Sequence, residues 1–187
     1  MMLPEPRSIA TAAIAVAALA GLVLVLTLGG GSSGRRSPGQ ATRRAAPGPV
    51  TVSWVGDMSL SSDLGLPPLR GAGPLDGVRR ELRTSDLALG NLEGALGSGG
   101  RSKCRPDSRD CVTFRAPASY ARVYARAGFD ALNLANNHTY DFGPTGSAAT
   151  VRALDAARIG HAGRAGELEL RRIRRTTVAL IGFAPYS

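Results

Sequence analysis

After residue 49, four apolar runs punctuate the chain: 50–55, 87–89, 129–134 and 178–183. Each is short, and polar or turn-forming residues lie close to its ends, the pattern of strands buried in a sheet. Between them, apolar positions recur at helical spacing. Leu75, Val78 and Leu82 follow Pro74. Tyr120, Val123, Tyr124 and Ala127 lie between Pro117 and Gly128. Val151, Leu154, Arg158 and Ile159 continue a segment that opens near Pro144 and stops at Gly160. Proline near the start and glycine past the end is the asymmetry expected of helices. Strands alternating with helices predict an α/β fold, a mostly parallel sheet with helices on its faces.

Ahead of this region, residues 9–28 form an uncharged apolar run of twenty, ending at Gly29. A helix of that length rises about 30 Å, enough to cross a bilayer. It fits either an uncleaved transmembrane anchor or a signal peptide cut after Ala18-Leu19-Ala20. The apolar residues continuing from Leu22 to Leu26 favour the anchor. Four arginines behind the run (Arg35, Arg36, Arg43 and Arg44) argue against export by a strict positive-inside count. Residues 29–49, rich in Gly, Ser, Pro and Arg, predict a flexible linker. The organisation expected is therefore an N-terminal anchor or signal over 1–28, a linker over 29–49 and one folded domain over 50–187.

The net charge of +9 is shared between the two parts. The first fifty residues hold five arginines against one glutamate, and the rest hold eighteen basic against thirteen acidic residues. A basic balance suits an anionic polymer or a solvated surface. With one Trp, four Tyr and four Phe, no stacking surface for single-stranded nucleic acid is visible, and no nucleic-acid partner is expected. The densest cluster, Arg171, Arg172, Arg174 and Arg175, reads as a solvated entry to the last strand. Cys104 and Cys111 flank a polar loop and have no second cysteine pair. Their spacing favours a local disulfide over a metal site, and a disulfide places the domain outside the cytoplasm.

The chemistry concentrates behind the first three strands. Gly56 and Asp57 follow the first, Asn91 and Glu93 the second. Asn136, Asn137 and His138, then Asp141 and Gly143, follow the third. If these strands are parallel, all three clusters share the carboxyl edge of the sheet, where ligands bind in open α/β folds. Carboxylate, amide and imidazole groups are the donors that hold divalent metals. Any one of these residues alone reads equally well as a turn or cap. Three consecutive polar side chains ending a buried strand, by contrast, need partners. His161, in a Gly-His-Ala-Gly stretch, reads as a loop residue.

At these residues the chain resembles the CapA (poly-γ-glutamate capsule) family, whose fold is that of the calcineurin-like metallophosphoesterases. The matching stretches are WVGDMSL (54–60), NLEGAL (91–96), FRAPASYARVYARAGFDALNLANNHTYDFGPTG (114–146) and, more loosely, RTTVALIGFAPYS (175–187). The resemblance implies a layered metallophosphoesterase-like sheet with flanking helices. It implies Asp57, Glu93 and Asn137 as ligands of a divalent, dinuclear metal centre, with His138 as the catalytic imidazole. Asn91 and Asp141 would orient the ligands by hydrogen bonds. The family's later histidine motifs have no counterpart here, since the chain has two histidines in all. The expectation is thus a front portion whose C-terminal half, and with it part of the site, is missing.

Three functions follow as expectations. One is a metal-dependent hydrolase of capsule or poly-γ-glutamate biosynthesis, at the cell membrane with its domain outside, or secreted. Another is a non-catalytic, membrane-tethered scaffold or binding module in polymer export. The third is an inactive truncated fragment of the enzyme.

Overall fold

The computed structural model of the chain describes residues 22–28, 48–60, 66 and 73–185. In chain order its elements are β1 (Leu22–Leu28), β2 (Val52–Met58), α1 (Arg79–Thr84), β3 (Leu87–Leu92), β4 (Ala95–Leu96) and β5 (Arg115–Ala116). There follow α2 (Ala121–Ala127), β6 (Ala131–Asn133), α3 (Gly143–Ala156), β7 (Gly160–Ala162), β8 (Glu169–Ile173) and β9 (Thr176–Phe183). Short 3₁₀ turns lead into α1 and α2.

The central sheet has the order β2-β3-β6-β7 and is parallel throughout. A second sheet, β1-β9-β8, is antiparallel. The central sheet is covered on both faces, which explains why β3 is buried along its whole length. Strand periodicity divides its residues. Ala88 joins the helix side, with Leu82, Val123, Tyr124, Leu132 and Leu154. Leu87 and Leu89 face the other way, with Ala131 and Ala162, against Val178 and Leu180 of β9. The result is three layers: helices, parallel sheet, antiparallel sheet.

The expected α/β alternation is present, and each of the three helical stripes contains a helix. Two expectations are corrected. The run at 178–183 is not a member of the parallel sheet but part of β9 in the second sheet. The fourth parallel strand is β7, which contains His161, so His161 is not a loop residue. β7 has three residues, too few to show a period, and its partner backbone on β6 supplies the pairing. The arginine cluster likewise concealed β8, whose exposure alternates along the strand and which meets β9 in a two-residue hairpin, Ile173 opposite Thr176.

The helix expected over 9–28 lies largely outside the described residues. Its last seven residues form β1 instead, paired antiparallel with β9 from Leu22 opposite Phe183 to Leu28 opposite Thr177. An apolar run alone does not separate helix from strand. Val23, Val25 and Thr27, β-branched at alternate positions, suit an extended backbone, and β9 offers it an edge. Among the described residues no helix is long and apolar enough to cross a membrane. The linker expected over 29–49 also lies outside the described residues, save for its last two.

Asp86 joins the two sheets at the amino end of β3. Its carboxylate accepts the Thr51 backbone N–H and hydroxyl, both at 2.9 Å, and pairs with Arg174 of the β8–β9 turn at 2.5 Å. The backbone bond from Thr51, then its hydroxyl and the Arg174 charge, hold the Asp86 carboxyl below its ordinary value of 3.8. The folded state therefore prefers the carboxylate. The stability this contributes is present above the unfolded-state value and is lost as pH falls through the lowered one. Asp86→Asn is expected to lower the urea midpoint at neutral pH and to flatten its decline below about pH 4. An unchanged acid limb would show that Asp86 does not link the sheets.

On the helix side, Tyr124 is fully buried, edge-on to Phe129 at 6.1 Å. Its hydroxyl has no hydrogen-bond partner among the described residues, and burial raises its pKa well above the usual tyrosine value. Tyr124→Phe is expected to leave stability unchanged or raise it by about 1 kcal/mol, because the unsatisfied hydroxyl is removed without opening a large void. Thermal melts of the two proteins test this.

Candidate functional site at the carboxyl edge

The carboxyl ends of β2, β3 and β6 lie side by side, as the parallel order requires. β2 and β3 pair in register as far as Val55 opposite Gly90. The register then shifts, and Asp57 comes opposite Asn91. Gly56 is the extra residue of this bulge, which re-aims the strand end. It places the Asp57 carboxylate 2.7 Å from the Asn91 amide nitrogen. The same nitrogen donates to Glu93 at 2.7 Å, and the Glu93 N–H is held by the Met58 carbonyl.

The Asn91 oxygen is equally engaged. It accepts the side-chain amides of Asn133 at 2.9 Å and Asn136 at 3.0 Å. An asparagine side chain has two N–H donors and two acceptor lone pairs, and all four are used here. The network fixes which end of the amide is which, because carboxylates only accept. Asn136 also donates to the Leu92 carbonyl, while its oxygen receives the His138 N–H at 2.9 Å. Asn136 thus turns the chain after β6 and pins that turn to β3, so the local turn delivers His138 to the edge.

His138 is nearly buried, its side chain 12% exposed. Its Nδ1 lies 2.9 and 3.1 Å from the oxygens of Asp141, which is fully buried. Since a carboxylate accepts, Nδ1 carries the proton and Nε2 is directed to the site, 3.7 Å from Glu93. The Phe114 ring lies against the imidazole, centroids 4.5 Å apart.

Burial raises the Glu93 carboxyl pKa, and the neighbouring charge of Asp57 raises it further. Two carboxylates beside an imidazole are donor types that suit a divalent cation. Asn137, next to His138 in the chain, is exposed, and its backbone carbonyl accepts Lys103 Nζ. Among the described residues no group of three or more His, Cys, Asp or Glu side chains is gathered as a metal cage.

The structure thus brings together Asp57, Asn91, Glu93, His138 and Asp141. Sequence reasoning had not singled out Asn133, Lys103 or Phe114, nor given Asn136 a role of its own. Asn133 carried a usable signal, a polar residue inside an apolar strand that requires a buried partner. Lys103 and Phe114 reach the site from the cystine loop, where no local pattern announces them. The expected disulfide between Cys104 and Cys111 is present, Cα atoms 5.5 Å apart, and closing its loop contributes about 2–3 kcal/mol. His161 lies away from these residues on β7, where Nε2 meets Asp155 at 3.3 Å.

The second sheet also supports the network. A Cβ at Gly182 of β9 would stand 2.2 Å from the Asn133 side-chain oxygen. Only a residue without a side chain allows β9 to pass this close to the amides under Asn91.

Residues 51–184 match the family model described as bacterial capsule synthesis protein PGA_cap. No curated protein matches the chain.

Two substitutions separate the supporting amides from the carboxylates. Asn91→Ala strands the amides of Asn133 and Asn136 and is expected to cost about 2–4 kcal/mol in urea unfolding. Glu93→Gln removes one of two repelling charges. Without divalent cations its melting temperature is expected to rise by about 2–4 °C, the shift that about 1 kcal/mol gives at this chain length. A fall on Glu93→Gln would contradict the electrostatic reading of the site.

Proposed function

Because the chain belongs to the bacterial capsule synthesis protein family, PGA_cap, we propose that it is a metal-dependent hydrolase of capsule-polymer assembly acting outside the cytoplasm. The observation that carries this reading is the convergence of Asp57, Glu93 and the Asp141-held imidazole of His138 on one sheet edge. The layering of helices, parallel sheet and second sheet is in keeping with a metallophosphoesterase-like fold. The disulfide supports an oxidising compartment, and the basic balance suits an anionic polymer such as poly-γ-glutamate.

In this reading Asp57 and Glu93 would hold a divalent cation, and the Asn137 amide would be the further ligand of a two-metal centre. A bound cation supplies Lewis-acid polarisation of the scissile group and activation of water. The chain's own residues do the rest. Asn91 holds the two carboxylates in a common direction. Asp141 fixes the His138 tautomer and ring plane, leaving Nε2 to exchange a proton with the reacting group. Phe114 leans against the ring at a tilt of 45° and restricts its rotation.

One observation favours a second reading, a non-catalytic binding module: among the described residues no group of three or more His, Cys, Asp or Glu side chains is gathered to hold a metal. Activity separates the two. With a generic phosphodiester and Mn²⁺, the hydrolase reading expects turnover that Asp57→Ala and His138→Ala each reduce by at least about 100-fold, the scale of losing a general acid–base group. Turnover surviving both substitutions, or none above background with Mn²⁺ present, would leave the binding module as the better account.

A further inference from the structure

The loop between β4 and β5 returns to Asp141 at both of its ends. At its start, the Lys103 N–H donates to the Asp141 carbonyl at 2.8 Å. Lys103 Nζ reaches the Asp141 carboxylate at 2.7 Å and the Asn137 carbonyl at 2.9 Å. At its end, the Phe114 N–H donates to the other Asp141 oxygen at 2.6 Å, and the Phe114 ring rests on His138. The cystine lies between these two arms, Cys104 next to Lys103 and Cys111 three residues before Phe114. Ser102 Oγ accepts the Cys104 N–H at 3.1 Å, fixing the first arm's entry.

We propose that residues 102–114 form a disulfide-tied clamp in which Lys103 and Phe114 are positioning residues for the His138–Asp141 pair. Asp141 is fully buried and would otherwise face its partners with one imidazole and a single backbone N–H. Lys103 gives it a cation, and the same ammonium anchors the peptide carbonyl of Asn137. Phe114 sets the tilt of the imidazole. Everything else in the loop from 105 to 110 is exposed and makes no described contact with the site, so the cystine is what keeps the two arms at one spacing. A loop of this polarity has no apolar core to hold it closed, and the covalent link replaces one.

The inference rests on His138 being the acting group of the edge, but its test requires neither metal nor turnover. The chain has only two histidines, His138 under the Phe114 ring and His161 on β7. Their imidazole C–H resonances can be followed in the full-length chain at about pH 8.5, above the ordinary histidine value near 6.5. Phe114→Leu defines the His138 position without the ring current. The Cys104→Ser/Cys111→Ser double variant and Lys103→Met are each expected to move the His138 resonances from the wild-type position toward that reference. Lys103→Arg should restore them, and His161 should stay in place, showing that the sheet is intact. His138 resonances that superimpose on wild type in both the double variant and Lys103→Met overturn the clamp. Should the double variant fail to fold, Lys103→Met alone decides. Loss of the hydrolase activity prediction would leave this result untouched.

Discussion

One side-chain amide organises the carboxyl edge. Asn91 sits at the end of a fully buried strand, with its nitrogen between two carboxylates and its oxygen between two further amides. In a low-dielectric setting, a polar group with every valence satisfied is rigid, and a partly satisfied one is costly. Each partner of Asn91 comes from a different part of the chain. Asp57 comes from β2, Glu93 from the turn after β3, Asn133 from β6 and Asn136 from the loop beyond it. The pairing of three parallel strands and the alignment of the site are therefore one problem. A register slip in any strand would break the network as well as the sheet.

The same network ties chemistry to architecture at a distance. β9 approaches so closely that Gly182 has no room for a side chain beside Asn133. On the opposite side, Asn136 turns the chain toward His138, and the cystine loop closes over Asp141. Positioning thus passes through rigid, hydrogen-bonded groups, while the exposed surface of the loop is free to vary. The tension in the site is electrostatic. Burial first, and the Asp57 charge second, raise the pKa of the Glu93 carboxyl.

Much of this was legible in the chain's letters. The helical stripes and the β2, β3 and β6 runs gave the parallel order, because buried strands and amphipathic helices have distinct periods. The polar residues at the strand ends gave the edge. What escaped had physical reasons. β7 is three residues long and β8 is masked by arginines, so neither shows a period, and the last run was assigned to the wrong sheet. An apolar stretch such as Leu22–Leu28 does not declare whether it will be helix or strand until a partner edge is known. Within the site, Asn137 and Asn136 are adjacent and chemically identical. Only the backbone turn decides that Asn136 is buried and Asn137 exposed. Lys103 and Phe114 are brought in by bonds to Asp141, distant in sequence, that local pattern cannot express.

Whether the edge built on Asn91 receives a divalent cation between Asp57 and Glu93, as proposed, is decided by calorimetric titration of the full-length, metal-stripped chain with Mn²⁺, run beside Glu93→Gln. Saturable binding is expected in the wild type, weakened by at least about tenfold, or 1.4 kcal/mol, in Glu93→Gln. Absence of binding in the wild type, or equal affinity in the two proteins, would contradict the proposal.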